Sequence, residues 1–274
     1  LICFMRNILK KKLGFPVKEN TRIKSHLSAN STSKTYQGNE FRIKILTLYP
    51  EMFPGPLEYS VIGRALKDKL WTLQVYNLRD FAVGKHKKVD GKPAGGGPGM
   101  VLRPDVVDAA MQTAIKDINT DNENWSFIYL TPRGSPLTHI ISQELIYKRG
   151  LIILCGRFEG IDERVIKKWK FVEISIGDFV ISGGEIAAHA LIDSCVRLIP
   201  NVLGNNDSSI NESFVNGLLE HPHFTKPNSW LGKKIPDVLL SGNHNHIEKW
   251  KSVKSLKITE DRRPDLLKKF RKKL

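Results

Sequence analysis

Five short apolar runs, each about the length of a strand, alternate with segments long enough for helices, and this alternation restricts the chain to few folds. The runs are Phe41 to Leu48, Leu73 to Tyr76, Phe127 to Leu130, Leu151 to Cys155 and Val172 to Ile176. Segments 57–69, 104–117, 137–148 and 161–169 are of helical length. Alternation of this kind argues for an α/β fold with a mainly parallel sheet. No run approaches the roughly 18 apolar residues of a membrane helix, so no membrane association is expected. The three cysteines, Cys3, Cys155 and Cys195, are odd in number, far apart and set among apolar residues. They read as buried thiols of a reducing, cytoplasmic compartment rather than as a disulfide framework.

Charge divides the chain further. Residues 1–40 hold 8 Lys/Arg against 2 Asp/Glu, residues 41–213 hold 21 against 20, and residues 214–274 hold 14 against 6. A near-neutral middle suits a catalytic domain, and a basic, aromatic-containing end suits a polyanion-binding surface, although a solvated basic face gives the same composition. Residues 1–40 mix Lys10, Lys11 and Lys12 with a Ser/Thr/Asn-rich stretch and no sustained periodicity. They are expected to be a disordered basic extension, a transit peptide or a misassigned start. Segment 204–213, Gly-Asn-Asn-Asp-Ser-Ser-Ile-Asn-Glu-Ser, is a candidate flexible linker or lid. It separates a catalytic domain over 41–203 from a small basic helical domain over 214–274.

In open α/β sheets ligands bind beyond the carboxyl ends of the strands. Three glycine-bearing segments fall there: Tyr129-Leu130-Thr131-Pro132-Arg133-Gly134, Gly156-Arg157-Phe158-Glu159-Gly160, and Ile176 through Gly184. Glycine permits close approach of the main chain, whose N–H and C=O groups can bond the edge of a purine. Any one of them alone would read as an ordinary turn. Gly95-Gly96-Gly97-Pro98-Gly99-Met100 lacks the Gly-Lys-Ser/Thr ending of a phosphate-binding loop and does not open a dinucleotide-binding helix. It reads as a mobile or plain surface loop. The pairs His221/His223 and His244/His246 have no completing cysteine or carboxylate cluster at metal-site spacing, and Ser241 or Asn243 is placed to cap a helix at the second pair. No metal ligand is assigned.

Four segments carry a family resemblance: Gly-Gly-Gly-Pro-Gly-Met at 95–100, Cys-Gly-Arg-Phe-Glu-Gly-Ile-Asp-Glu-Arg at 155–164, Ser-Ile-Gly-Asp-Phe-Val-Ile-Ser-Gly-Gly-Glu at 175–185, and Leu-Leu-Ser-Gly-Asn-His at 239–244. In this order, within residues 41–268, they resemble the bacterial tRNA (guanine-N1) methyltransferases of the TrmD family. The resemblance implies a SPOUT-type α/β domain with a deep trefoil knot, a small helical C-terminal domain, a homodimer, and S-adenosylmethionine as methyl donor. It puts the cofactor against Tyr129, Leu130, Thr131 and Pro132; Gly156, Phe158 and Gly160; and Ser175, Ile176, Gly177, Asp178, Phe179, Val180, Ile181, Gly183 and Gly184. Phe158 and Phe179 stand where relatives commonly have Tyr, which keeps ring packing and removes a hydroxyl.

Methylating guanine at N1 requires a base for a weakly acidic N–H and a cation for the charge gathering on O6. By the resemblance the base position is Glu212, where the usual residue is Asp, with Asp207 a weaker substitute. The cation is Arg197, and Glu159 has a supporting role near the substrate base. On a helix from about Glu185 to Leu198, His189, Asp193 and Arg197 recur every four residues and are expected to share one face. A helix from about His246 to Lys257 carries Lys249, Lys251, Lys254, Lys257 and Trp250, followed by Arg262, Arg263 and Lys268 to Lys273. The family analogy makes this a grip on the tRNA anticodon arm while the guanosine 3′ to the anticodon enters the site. Mg²⁺ is also implied, with no residue identifying a site. Ribose 2′-O methylation and non-catalytic RNA binding are the competing classes; the intact glycines and the lid-and-tail arrangement favour base methylation.

Overall fold

The computed structural model describes residues 40–118, 124–204 and 212–272. Expectations for 1–39, including the extension, for Asp207 and for most of the linker lie outside the described residues. The described residues fall into two compact units, one over 40–204 and the other over 212–272.

The first unit is built on a five-stranded sheet of β1 (Phe41–Thr47), β2 (Trp71–Asn77), β5 (Trp125–Pro136), β6 (Gly150–Cys155) and β7 (Val172–Ser175), in the spatial order β2-β1-β6-β5-β7. Every pairing is parallel, in register from Phe41 against Trp71, Arg42 against Gly150 and Trp125 against Gly150. The strands β3 (Asp90–Gly91) and β4 (Val101–Leu102) form a separate antiparallel pair. Parallel sheets are covered on both faces, which is why β6 is apolar and buried from end to end.

Helices α1 (Ser60–Lys67), α3 (His139–Leu145) and α5 (Gly184–Val196) cover one face. There Ile43, Ile45, Ile128, Leu151 and Ile153 pack with Ile62, Leu145, Ala188, Leu191 and Ile192. Helices α2 (Pro104–Ala114) and α4 (Glu163–Trp169) cover the other, where Leu46, Ile152 and Leu154 meet Val107, Ala110, Met111, Val165 and Ile166. Local chemistry sets the helix starts. Pro104 opens α2 with a φ already suited to a first turn. The Thr138 hydroxyl accepts from Ile141 N ahead of α3, and the Asp162 carboxylate accepts from Arg164 N at 2.9 Å ahead of α4.

Lys44 interrupts the apolar run of β1 and is nonetheless buried. Its ammonium donates to Ala114 O at 2.7 Å, pairs with Asp117 and lies 5.7 Å from the centre of the Trp125 ring. A buried ammonium is tolerable only with such partners.

The second unit has a small core of Leu218 and Leu267 with Leu256 and Phe270 against them. Its elements are a hairpin of β8 (Ser229–Trp230) and β9 (Lys233–Lys234), a short helix α6 (Asp237–Leu240), then α7 (His244–Arg262) and α8 (Pro264–Lys272). Asn243 caps α7 by accepting from His246 N at 3.2 Å. The helix expected over 246–257 therefore starts two residues earlier and runs five further. Thr259, fully buried on α7, accepts from Leu219 N at 2.9 Å and anchors the incoming chain.

No described helix is long and apolar enough to cross a membrane. Cys155 and Cys195 are free and buried; burial pushes the Cys155 thiol well up and the Cys195 thiol to about 12, which keeps both protonated.

Candidate active site

Sheet order determines where a cleft can open. From β5 the chain crosses to β6 on one side, and from β6 it returns past β5 to β7 at the edge, so the two connections leave in opposite directions. The carboxyl ends of β5, β6 and β7 flank that switch point. A cleft enclosing about 220 Å³ lies there, walled by Tyr129 to Pro132, Gly156 to Gly160, Ile174 to Gly177, Phe179 to Gly184 and Ala187. Every cofactor-contact residue named from the sequence lines it except Asp178, and Glu159 lines it as well.

The first wall differs from the expected loop. Residues Tyr129–Gly134 stay inside β5, and Leu130 and Ser135 both pair with Ile174, so the four residues between them bow out of the ladder as a bulge. Pro132 and Gly134 read locally as a turn, yet pairing with β7 resumes beyond them. Tyr129 is buried beneath the bulge, and burial raises its phenol above the ordinary value, only partly offset by a hydrogen bond with Thr131.

Gly156 follows β6 where a side chain would be crowded: a Cβ there would lie 2.8 Å from the Tyr129 ring. Phe158 adopts a left-handed φ of +59° with its ring half exposed to the cleft, a strained conformation for a bulky residue and one that recurs at ligand sites. Backbone bonds from Glu159 N to Met100 O and from Leu102 N to Gly160 O, both 2.9 Å, strap this loop to the end of the glycine-rich segment 95–100. In the third wall the Ser175 hydroxyl donates to Gly177 O at 3.0 Å and accepts from Gly177 N at 3.2 Å, closing a tight turn after β7. The wall returns to the sheet where Gly184 N donates to Gly156 O at 2.8 Å, opening α5.

Beneath the walls lies a feature that the sequence reading missed. Arg157 Nη2 is 2.8 Å from Glu185 Oε2, and that carboxylate is 1% exposed. Thr47 donates to the other carboxylate oxygen at 2.7 Å, Arg157 Nη1 donates to Ser182 O at 3.1 Å, and the guanidinium sits 4.3 Å over the Tyr49 ring. Gly183 yields the space this needs, since a Cβ there would stand 2.1 Å from Arg157 Nε. One ion pair thus ties the β6 loop, the β7 loop, the start of α5 and the end of β1. In the sequence Arg157 and Glu185 are two among several charges in these motifs, and nothing there marks them as partners.

The three helix residues expected on one face are separated. His189 is buried 4.6 Å from the Phe53 ring, Asp193 is exposed, and Arg197 is the half-buried C-cap of α5. A step of four residues turns an α-helix by about 40° and eight by about 80°, so the three reach different depths along one side. Burial lowers the His189 imidazole below its ordinary value, against the opposing pull of the Met52 and Pro54 carbonyls and of Glu185. Glu212 opens the described part of the second unit and is half-buried. Among the described residues no group of three or more His, Cys, Asp or Glu could hold a metal ion.

Comparisons with known proteins agree with this geometry. The family model described as tRNA (Guanine-1)-methyltransferase TrmD matches residues 41–269. A tRNA (guanine-N(1)-)-methyltransferase of Ruegeria pomeroyi is 52% identical over 226 residues, covering 82% of this chain and 92% of that protein. Proteins of the same name from Ruegeria sp. and Brucella ovis are 53% and 50% identical, covering 82% and 84% of this chain and 91% and 92% of their own. With the parallel sheet and the cleft at its switch point, a match of this extent shows that the chain belongs to the TrmD tRNA (guanine-1)-methyltransferase family.

Proposed function

We propose that the protein transfers a methyl group from S-adenosylmethionine to N1 of a guanosine in tRNA, the one immediately 3′ to the anticodon. The observation that carries the reading is the convergence of three glycine-bearing segments on one cleft, in a chain whose relatives bear the name of that activity.

The cleft suits a nucleoside rather than a phosphate. Its lining includes Gly156, Gly160, Gly177, Gly183 and Gly184, its exposed rings are Phe158 and Phe179, and Arg157 is already engaged by Glu185 and Ser182 O. Tyr129 to Pro132, Gly156 to Gly160 and Ser175 to Gly184 would hold the methyl donor, which when bound supplies an electrophilic methyl group. Glu212 takes the N1 proton onto its carboxylate, Arg197 stabilises the charge developing on O6, and Glu159 helps to seat the base. No Mg²⁺ site is assigned. The knot and the homodimer belong to the same reading; Ile186, 56% exposed in the first turn of α5, is an apolar position for a second copy.

Incubation with methyl-labelled S-adenosylmethionine and a tRNA pool, then digestion and nucleoside mapping, tests the assignment. The label is expected in 1-methylguanosine next to the anticodon. Label in 2′-O-methylated nucleosides, or none in RNA, rules the proposal out.

A further inference from the structure

The hairpin of the second unit has features that folding alone does not require. Ser229 pairs with Lys234 and Trp230 with Lys233, so the connection is two residues long, Leu231 and Gly232. Both have positive φ, +49° and +75°, the signature of a type I′ turn. Asn or Asp normally fills the first position of such a turn, and leucine pays in strain for a left-handed backbone. Nothing in the fold offsets that strain, because Leu231 is 79% exposed and Trp230 beside it is 64% exposed. Two large apolar side chains therefore stand in solvent at a tight turn.

Their surroundings define what they can meet. From His221 to Pro236 the chain contains Lys226, Lys233 and Lys234 and no Asp or Glu. The hairpin lysines are exposed. An exposed indole between cations in an acid-free stretch of chain complements a polyanion that offers flat aromatic faces. Single-stranded nucleic acid meets that description: its bases stack on aromatic side chains while lysines follow the phosphates. An acidic protein surface would satisfy the lysines and leave the indole without a stacking partner.

We infer that the Trp230–Lys234 hairpin is a second RNA contact, where Trp230 stacks on an unpaired base of the tRNA and Lys233 and Lys234 neutralise phosphates flanking it. This rests on tRNA being the substrate and adds a site apart from the α7–α8 lysines.

Direct binding tests it in the full-length protein: anisotropy of a labelled tRNA titrated with enzyme, with methyl transfer and sedimentation of the same samples. Trp230→Ala is expected to weaken tRNA binding about tenfold, within the range for removing one stacked base. Trp230→Phe should restore most of it, and KM for S-adenosylmethionine should not move. Lys233→Gln with Lys234→Gln should reduce the slope of log affinity against log salt by about 1.4, or 0.7 for each single-strand phosphate no longer neutralised. Unchanged tRNA affinity in Trp230→Ala, with an active wild-type enzyme, overturns the hairpin site and leaves the proposed activity standing. The hairpin site is equally overturned if Trp230→Ala shifts sedimentation toward a smaller species and tRNA binding falls only in step, because the hairpin is then a protein interface. A wild-type enzyme that binds no tRNA overturns both.

Discussion

At position 212 the chain carries a glutamate, which we propose as the base, where the resemblance puts aspartate, a difference of one methylene. Glu212→Gln keeps size and shape and removes the base. It should reduce single-turnover methyl transfer by at least about a hundredfold, the usual worth of a positioned general base, with S-adenosylhomocysteine affinity by calorimetry almost unchanged. Normal turnover in that variant would move the base elsewhere. Gly183 tests the wall of the cleft. A methyl group there meets Arg157 at 2.1 Å, so Gly183→Ala should raise KM for S-adenosylmethionine by about tenfold, as overpacking of about 1–3 kcal/mol would, while the variant still folds. His189 gives a pH signature. Its folded pKa is below its unfolded value, so its contribution to stability is present above pH about 6.5 and is lost as pH falls toward the folded value. The melting temperature should fall between pH 7 and pH 5, and less steeply in His189→Gln.

At the scale of elements, the Arg157–Glu185 pair is what holds the walls of the cleft in one arrangement. Arg157→Ala leaves a buried carboxylate without its cation and should cost about 3–5 kcal/mol in denaturant unfolding. Combining it with Glu185→Gln should recover much of that stability, but not cofactor affinity, because Ser182 O and the Tyr49 ring still lack the guanidinium. If the double variant regains both, the pair is structural only. The strands were legible because parallel strands buried on both faces must be apolar along their length. Their limits were less so: β2 begins at Trp71, which pairs with Phe41 thirty residues earlier, a partner no local window contains. The bulge in β5 looked like a turn since Pro-Arg-Gly is turn chemistry and pairing partners lie forty residues on. Helix α7 was read short because it is polar on most sides, and what fixes it, Ser252, Thr259 and Leu256, is tertiary. Glycines marked the cleft in the sequence, whereas the ion pair beneath it joins residues 28 apart and leaves no periodic trace.

For the whole molecule, charge and chemistry separate along the chain. A nearly neutral sheet unit carries the cleft, and residues 214–274 carry 14 Lys/Arg against 6 Asp/Glu. Affinity for tRNA should accordingly fall steeply with salt while affinity for S-adenosylhomocysteine stays nearly flat, a contrast readable by repeating both titrations between 50 and 200 mM salt, the interval over which about 6–10 phosphate contacts are strongly weakened. Equal salt dependence for both ligands would contradict this division. The central claim is that the cleft methylates a guanine base at one place in tRNA. Its most direct test compares two transcripts that differ only in the nucleotide immediately 3′ to the anticodon, guanosine or adenosine, with labelled S-adenosylmethionine and purified protein. Stoichiometric label is expected in the guanosine transcript, recovered as 1-methylguanosine, and none in the other; equal labelling of both, or labelling of neither, would overturn the assignment.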